Sequence, residues 1–542
     1  MTQYRPTQSP EPYDSALDAA LSSPTWRPSD SLWQPRLHLP PRLSPAASTL
    51  KSFDPRETFK VPSVTPGSHA TRGAGAGRGG QLSATIDSAD LIVIGNGIAG
   101  CIAAMETRQH APDARILIIT EQNHPTINTP ALKQFGAGRL EIEHLLAYPA
   151  GSERQLGIDV IHQRVVAIDA HGHRLQLADG RAIRYRRLLL ATGARATSLP
   201  AQIPGRDFDG VVTLHTLSDY LDLRRRLPEV ASAVVIGGGY HAAETAMLLR
   251  HRRVKVTWLI RGRGLLSRQL DPAASDLLLK QVRRQGVDIR LETEVVGVVG
   301  RLGMAAGVVT STNEFLPCEL VVAAIGTEPD IALAQHTALS VEPGAGVKVN
   351  ELLQTGAQDI YAAGAVAAIC DPQTGRYDAR GQWYFAVQQG RLASAAITGV
   401  TISRSAANGA VGNFWHATRF EKLHVLVAGA PMLNEHDHSE NEVLTNGSDS
   451  FYRRIVVRHG HLIGYLAVGA SARGGPSIKR LIDERINVDE IKRHLLTEDF
   501  DVQSFFTRRR LHALDTGNIE VVPRPIATPS RMLSASSVGE AV

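Results

Sequence analysis

Leu91-Ile92-Val93-Ile94-Gly95-Asn96-Gly97-Ile98-Ala99-Gly100 decides the fold of this chain. Four apolar residues in a row read as a buried strand, and a helical stretch from Ile98 to Arg108 follows at once. In that setting the spacing G-x-G-x-x-G has a physical meaning. Gly95 permits the tight turn, Gly97 lets the backbone approach a pyrophosphate, and Gly100 lets the helix close on the strand. The helix start at Ile98 and Ala99 then offers free N–H groups and a partial positive charge to phosphates. The arrangement returns at Gly237-Gly238-Gly239-Tyr240-His241-Ala242, after Val234-Val235-Ile236 and before another helix. There Gly237 and Gly239 take the first two roles, Ala242 takes the third, and Tyr240 and His241 lie in the first helical turn. Two such turns in tandem predict two nucleotides meeting face to face, a tightly held flavin and a nicotinamide donor. A glycine cluster that only packs helix on strand is the competing reading, and the matched context at both places disfavours it.

Working outward, Arg115 to Thr120 reads as a second strand ending at Glu121, where an acid commonly takes the ribose hydroxyls of a bound adenosine. Val165 to Ile168 and His173 to Leu177 read as a small meander. Leu188-Leu189-Leu190-Ala191-Thr192-Gly193 reads as a buried strand ending in a tight turn. The second unit has its own second strand, Lys255 to Ile260, and closes with Leu320 to Gly326. Asp359 to Gly364 returns to the first domain, and a helix follows from Trp383 to Ile397. Beyond residue 403, two alternating runs around His459-Gly460-His461 read as a hairpin. Ile478 to Ile486 and Val488 to Leu496 read as amphipathic helices. The expected fold is α/β, with two Rossmann-like dinucleotide-binding domains, one inserted in the other, and a small α+β C-terminal domain. The expected boundaries are 88–217 with 342–402 for an FAD domain, 218–341 for a NAD(P) domain and 403–511 for an interface domain. Residues 1–87 read as a disordered Pro/Ser/Gly-rich tail containing Trp26 and Trp33, and 512–542 as a second tail.

Composition narrows the class. The 542 residues are 43% apolar and 20% charged with a net charge of +5, which suits a soluble globular enzyme. No apolar run is long enough to span a bilayer, and residues 1–30 hold no signal-peptide core, so a cytoplasmic location is expected. Nothing resembles a nucleic-acid module. The basic runs Arg224-Arg225-Arg226, Arg250 to Arg253 and Arg508-Arg509-Arg510 read first as solvated helix faces. A docking surface for an acidic electron carrier is the sharper alternative. Cys101, Cys318 and Cys370 include no C-x-x-C pair, which excludes a disulfide-exchange centre of two neighbouring thiols. Asn434-Glu435-His436-Asp437-His438-Ser439-Glu440 reads as a polar surface loop, and no metal is expected.

Taken together, the two glycine turns, Ala191-Thr192-Gly193, Ile325-Gly326-Thr327-Glu328-Pro329-Asp330, Ile360-Tyr361-Ala362-Ala363-Gly364, and Trp383 followed by Gln389-Gly390 resemble the two-dinucleotide-binding flavoprotein family. This family is also called the pyridine nucleotide-disulfide oxidoreductase class. The resemblance covers roughly residues 90–400 and is greatest to the branch without redox cysteines, the ferredoxin and rubredoxin reductases and the flavin part of nitrite reductases. It implies bound FAD, NADPH or NADH as donor, hydride transfer to the flavin, and a separate electron acceptor, a small carrier protein among them. A homodimer is expected, or part of a larger assembly through the N-terminal tail. The resemblance places Val165, Thr192, Gly193 and Gly364 beside the flavin nucleotide, Trp383 near the isoalloxazine, and Gly326 with the cofactor-contacting turns. Glu244 matches an acidic position near the nicotinamide amide, with a solvated helix carboxylate as the plain alternative. Glu244 and Lys133 are the expected catalytic residues.

The chain departs from the family pattern in places. Gly364 is followed by Ala365 where an Asp usually bonds the ribityl chain, and Ile127-Asn128-Thr129-Pro130 stands for Tyr-x-Arg-Pro. Losing one charged hydrogen bond costs about 1.5–3 kcal/mol. A degenerate flavoprotein acting as a scaffold is therefore one alternative function; a diaphorase or oxidase is another. At the end of the second unit's second strand, Ile260 is followed by Arg261, with Arg263 close by and no acid in sequence. This tilts the donor toward NADPH, though Arg261 also reads as a solvated turn residue.

Overall fold

The computed structural model describes residues 87–515 apart from 338, 372–374, 421, 434, 435, 437, 438, 471–473 and 499. The assembly role expected of the N-terminal tail falls outside these residues, as do four positions of the 434–440 loop. The described residues group into two compact units. One takes the residues up to Arg261 and Val287–Gly412; the other takes Gly262–Gly286 and the residues from Asn413 on.

In the first unit, β1 (Ser88–Ile94) leads through Gly95–Gly97 into α1 (Ile98–His110), and β2 (Ile116–Thr120) lies parallel to β1. The short helix α2 (Leu132–Gly136) follows. The remaining strands of this sheet are β3 (Asp159–His162), β4 (Val165–Asp169), β5 (Arg174–Leu177) and β6 (Ala182–Leu190). Their order is β3-β2-β1-β6-β5-β4, and Ile360–Ala362 adds a further parallel strand on β6. The central strands are apolar on both faces because helices cover the sheet: Ile92, Val93, Leu117, Ile118, Leu188 and Leu189 are fully buried. The C-terminal ends of these parallel strands deliver Gly95, Glu121 and Ala191 to one edge, the edge where ligands bind in such sheets.

The chain then forms β7 (Ala194–Ala196), β8 (Val211–Val212) and α3 (Leu217–Arg226). β9 (Ser232–Ile236), α4 (Tyr240–His251) and β10 (Lys255–Ile260) repeat the β-turn-α-β pattern. With β11 (Asp288–Leu291) and, further on, Leu320–Ala323, they make a second parallel sheet of order β11-β10-β9-(Leu320–Ala323)-β8. α3 is closed by a capping box in which Thr216 and Asp219 satisfy each other's backbone N–H groups. The helices after the glycine turns have no such device, since Gly97 and Gly239 at their N-caps carry no side chain.

In the second unit, α5 (Pro272–Arg284) is capped by Asp271, whose carboxylate accepts from the Ala274 N–H. Asp271 also accepts from the Tyr452 hydroxyl. Five antiparallel strands span Trp415–Phe420, Leu423–Gly429, Asn441–Gly447, Tyr452–Arg458 and His461–Gly469. The expected hairpin is present, with Arg458 opposite His461 and both turn residues at positive φ (His459 50°, Gly460 73°). Gly475–Asp483 is a helix, as its apolar spacing predicts. The helix expected over Val488–Leu496 does not form; only the turn His494–Leu496 is helical, of the tighter 3₁₀ type. The Val488 N–H is taken by the Gly460 carbonyl, and the Ile491 N–H by the Val488 carbonyl. Val488, Ile491 and Leu495 therefore reach the core from successive turns rather than one helical face.

Candidate functional site

The two glycine turns share one geometry. Gly95 has φ 106° and Gly237 φ 137°, both open to glycine and strained for other residues. The Gly95 N–H bonds the Ile119 carbonyl at 2.8 Å, and the Gly237 N–H bonds the Leu259 carbonyl at 3.0 Å. A Cβ on Gly95 would lie 2.3 Å from the Ala191 carbonyl oxygen; on Gly237 it would lie 2.2 Å from that of Ala324. A Cβ on Gly100 would strike the Gly95 carbonyl oxygen at 2.3 Å, so Gly100 sets how closely α1 approaches β1. Ala242, its counterpart, is fully buried.

Gly97 and Gly239 differ from these. Their backbones are ordinary and extended (φ −74° and −97°), and a Cβ on either would meet nothing within 4 Å. The fold does not need glycine at these two positions. Each keeps a space clear above an uncapped helix N-terminus, whose N–H groups suit an anion.

Several sequence-assigned residues gather at the first turn. Thr192 donates from Oγ1 to the Asp330 carbonyl at 2.8 Å, and the Asp330 N–H returns a bond to the Gly193 carbonyl at 2.9 Å. β7 pairs with Thr327–Pro329, which ties the Ala191-Thr192-Gly193 turn to the turn at Gly326 (φ 128°). Val165 is buried at the start of β4; Glu121 stands exposed after β2 with Arg164 3.5 Å away. The Gly364 N–H donates to Gln389 Oε1 at 2.6 Å, and Gly390 lets the helix Trp383–Thr398 close on Ala99. Ala365 is half-buried with Gly381 against it, and Trp383 is half-buried at the helix start.

At the second turn, the fold brings Lys133 of α2 into an ion pair with Glu244 of α4. Burial draws the Lys133 ammonium down to about 8. The side chain keeps 31% of its surface open to water, and at about 8 the ammonium is charged at neutral pH. His241, three residues before Glu244, is pulled down to about 4 by burial and by the Lys133 charge, so its ring is neutral. Arg261 follows β10 and is 83% exposed, with Glu294 Oε1 3.9 Å from its Nε. The sequence shows no acid at this strand end; space supplies one, because the Thr293 N–H bonds the Ile260 carbonyl and carries Glu294 alongside. Arg263 is exposed in the 262–286 segment of the second unit.

Three buried polar atoms without a hydrogen-bond partner among the described residues, Asn128 Oδ1, His241 Nε2 and Gln382 Oε1, lie on the segments that the sequence assigns to the cofactors. Orphaned polar atoms and cleared glycine cradles together fit two nucleotides. Among the described residues no group of His, Cys, Asp and Glu is arranged to hold a metal ion. No helix among them is long and apolar enough to cross a membrane. All three cysteines are free, and burial pushes the Cys101 and Cys318 thiols up to about 12. Cys101 is a fully buried residue of α1. Arg225, 78% exposed, pairs with Asp222, and Arg226 pairs with Asp222 and Asp209.

Sequence reasoning passed over several partners of the turns. Trp258 donates from Nε1 to the Gly237 carbonyl at 2.7 Å, and Thr126 donates to Asn96 Oδ1 at 2.9 Å. The first had a signal, since a Trp inside a buried strand needs an acceptor. Thr126 and Glu294 had none, being distant in sequence from what they touch.

Residues 89–390 match the family described as pyridine nucleotide-disulphide oxidoreductase. The chain is similar to the rhodocoxin reductase of Rhodococcus erythropolis, 32% identical over 344 residues, which cover 63% of this chain and 79% of that one. It is 28% identical over 313 residues to the rubredoxin-NAD(+) reductase of Ectopseudomonas oleovorans, covering 57% and 80% of the two chains. Among solved structures, the ferredoxin reductase for the CYP199A2 system of Rhodopseudomonas palustris is similar with a TM-score of 0.68 at 25% identity, covering 77% of this chain and 99% of that one.

Proposed function

This chain belongs to the pyridine nucleotide-disulphide oxidoreductase family, and we propose that it is an FAD-dependent NAD(P)H oxidoreductase passing electrons to a separate acceptor. The observation that carries the reading is the repeated glycine turn, with Gly97 and Gly239 kept clear of protein atoms at two helix N-termini. In this reading Gly95, Gly97, Gly100, Glu121, Val165, Ala191, Thr192, Gly193, Gly364, Ala365 and Trp383 hold FAD. Gly237, Gly239, Tyr240, His241, Ala242, Arg261, Arg263 and Gly326 hold the nicotinamide nucleotide, with residues 88–217 and 342–402 as the FAD domain and 218–341 as the NAD(P) domain. Bound flavin supplies the ability to take a hydride and return its electrons singly. The chain's own part is to orient the two rings and stabilise charge. The Lys133–Glu244 pair offers a fixed cation and a fixed acceptor beside α4. With two thiols buried and all three free, no disulfide relay is involved.

The acceptor in this reading is a small electron-carrier protein; the names of the relatives specify a rubredoxin and a ferredoxin for those proteins. The unpaired cysteines suit a reducing compartment. A visible spectrum of the purified protein tests the core of the proposal. Flavin bands near roughly 450 nm that bleach on adding NADPH or NADH support it. A colourless protein that takes up no added FAD refutes it and favours a scaffold, the reading that Ala365 motivates.

A further inference from the structure

We propose that the N-terminal edge of the first sheet carries a ligand site of its own, a basic cleft that binds a small molecule through two or more linked phosphate groups. The site stands apart from the reading of the glycine turns. The first turn lies at the other end of the same strands, and β1 from Ser88 to Ile94 separates the two edges by about 20 Å at about 3.3 Å per residue.

A cleft of about 320 Å³ opens where β2, β1 and β6 begin. Parallel register sets Ser88 beside Arg184, and the Asp90 N–H donates to the Arg115 carbonyl at 2.9 Å. Side chains alternate along a strand, so Arg184 and Arg186 share one face of β6 while Tyr185 between them is buried on the other. Arg115, Arg184 and Arg186 line the cleft and are exposed. Antiparallel register adds Arg174 of β5, also exposed, directly opposite Arg184.

None of these four guanidinium groups has an ion pair or a hydrogen bond among the described residues. Arg187, the next residue of β6, does pair, with Asp359. The carboxylates of this edge are taken up by the backbone instead. Asp90 accepts from the Arg115 N–H at 2.9 Å; Asp169, opposite Arg174, accepts from the Gly172 N–H at 2.8 Å. Arg174 and Arg184 thus face each other with no ion pair to either, and like charges directly opposite destabilise a ladder. The edge lacks an anion.

Spacing sets the size of that anion. Neighbouring strands lie about 4.8 Å apart, so Arg115 on one side of β1 and Arg184 on the other start about 10 Å apart, while Arg184 and Arg186 start about 7 Å apart along β6. One tetrahedral oxyanion answers one such pair; a chain of two or three phosphates reaches all three. The planar guanidinium fork matches phosphate oxygens. The cleft is at the small end of sites for small molecules, which suits a condensed phosphate or the phosphate end of a nucleotide.

The test is calorimetric titration of the full chain with sodium tripolyphosphate, ATP and orthophosphate in turn, at about 0.15 M ionic strength, where attraction beyond about 8 Å is screened. Tripolyphosphate should bind at least about tenfold more tightly than orthophosphate. Arg184→Gln and Arg186→Gln should each weaken it about 3- to 10-fold, the size expected of one charge-assisted bond discounted for exposure. The double variant should combine the two losses. Gly239→Val, which fills the second glycine turn, should leave tripolyphosphate binding unchanged. Melting gives a separate readout. Arg184→Gln, relieved of Arg174, should melt no lower than the wild type, and tripolyphosphate should raise the midpoint of the wild type but not of the double variant. ATP binding no tighter than tripolyphosphate assigns the cleft to the phosphate chain alone; tighter binding of ATP that the double variant loses assigns it to a nucleotide. Tripolyphosphate that binds no tighter than orthophosphate overturns the proposal and leaves an acidic macromolecule as the partner. Binding undiminished in the double variant, binding lost in Gly239→Val, or a lower midpoint for Arg184→Gln overturns it as well.

Discussion

Replacing Gly97 by Val separates what the fold needs from what the cofactor needs. Gly97 has φ −74° and ψ 175°, a backbone that a β-branched residue adopts without strain, and its added Cβ meets no atom within 4 Å. The folded apoprotein should therefore tolerate valine. Reduced freedom of the unfolded chain should even stabilise it by about 0.4–1 kcal/mol. The valine side chain instead fills the space above the α1 N-terminus. A phosphate kept from two N–H groups loses two charge-assisted bonds at about 1.5–3 kcal/mol each, about 3–6 kcal/mol together. That is roughly 10²- to 10⁴-fold in FAD affinity. Gly95→Ala is the control with opposite character, because its Cβ would lie 2.3 Å from the Ala191 carbonyl oxygen at φ 106°. Strain of about 1–2 kcal/mol and overlap of about 1–3 kcal/mol should destabilise the apoprotein itself. The assay is the flavin-to-protein absorbance ratio after desalting, with melting of both variants stripped of flavin, since bound ligand raises the midpoint. Gly97→Val retaining full flavin, or melting as low as Gly95→Ala, refutes the reasoning.

Further outcomes follow from the same geometry. Arg261→Glu should erase a preference for NADPH in kcat/KM, and Glu294→Gln should strengthen it by freeing Arg261 from the carboxylate 3.9 Å away; no change from either shows that neither reads the 2′-phosphate. Replacing Cys101, Cys318 and Cys370 together by Ser or Ala should leave flavin reduction nearly intact, as stopped-flow traces at about 450 nm would record; a large loss in folded, flavin-bound protein contradicts a thiol-free route. Ala365→Asp should slow FAD loss on gel filtration, by no more than about 1.5–3 kcal/mol; weaker retention means that Gly381 and its neighbours have closed on the smaller side chain. His241 has a folded pKa of about 4 against an ordinary 6.5, lowered first by burial and then by Lys133 and His215. Its contribution to stability is complete above about pH 6.5 and is lost as pH falls toward 4, about 3 kcal/mol at 1.36 kcal/mol per unit. Urea unfolding at steps between pH 7.5 and 4.5 should show a shallower decline for His241→Gln than for the wild type; parallel curves argue against a buried neutral ring.

Most of the architecture was legible because it rests on local rules. An apolar run, a glycine turn and a helix start are neighbours in sequence, and each constrains the next. Both parallel sheets, the helix from Trp383 and the hairpin at His459-Gly460 were accessible in this way. The run from Val488 to Leu496 was not, because its apolar spacing fits both a helix and a chain of turns. A carbonyl from Gly460, 28 residues earlier, chose the turns.

The candidate site divides along the same line. Sequence by itself determined where space opens above the two helix N-termini, since the conformation of Gly95 and Gly237 and the missing side chains of Gly97 and Gly239 are properties of single residues in a local context. Only the tertiary structure decided which groups face one another. It placed Lys133 against Glu244 across 111 positions, set Glu294 beside Arg261, and left His241 Nε2 buried with no hydrogen-bond partner among the described residues. Coulomb and hydrogen-bond energies depend on separation in space and on burial, and neither is written in the order of residues along the chain.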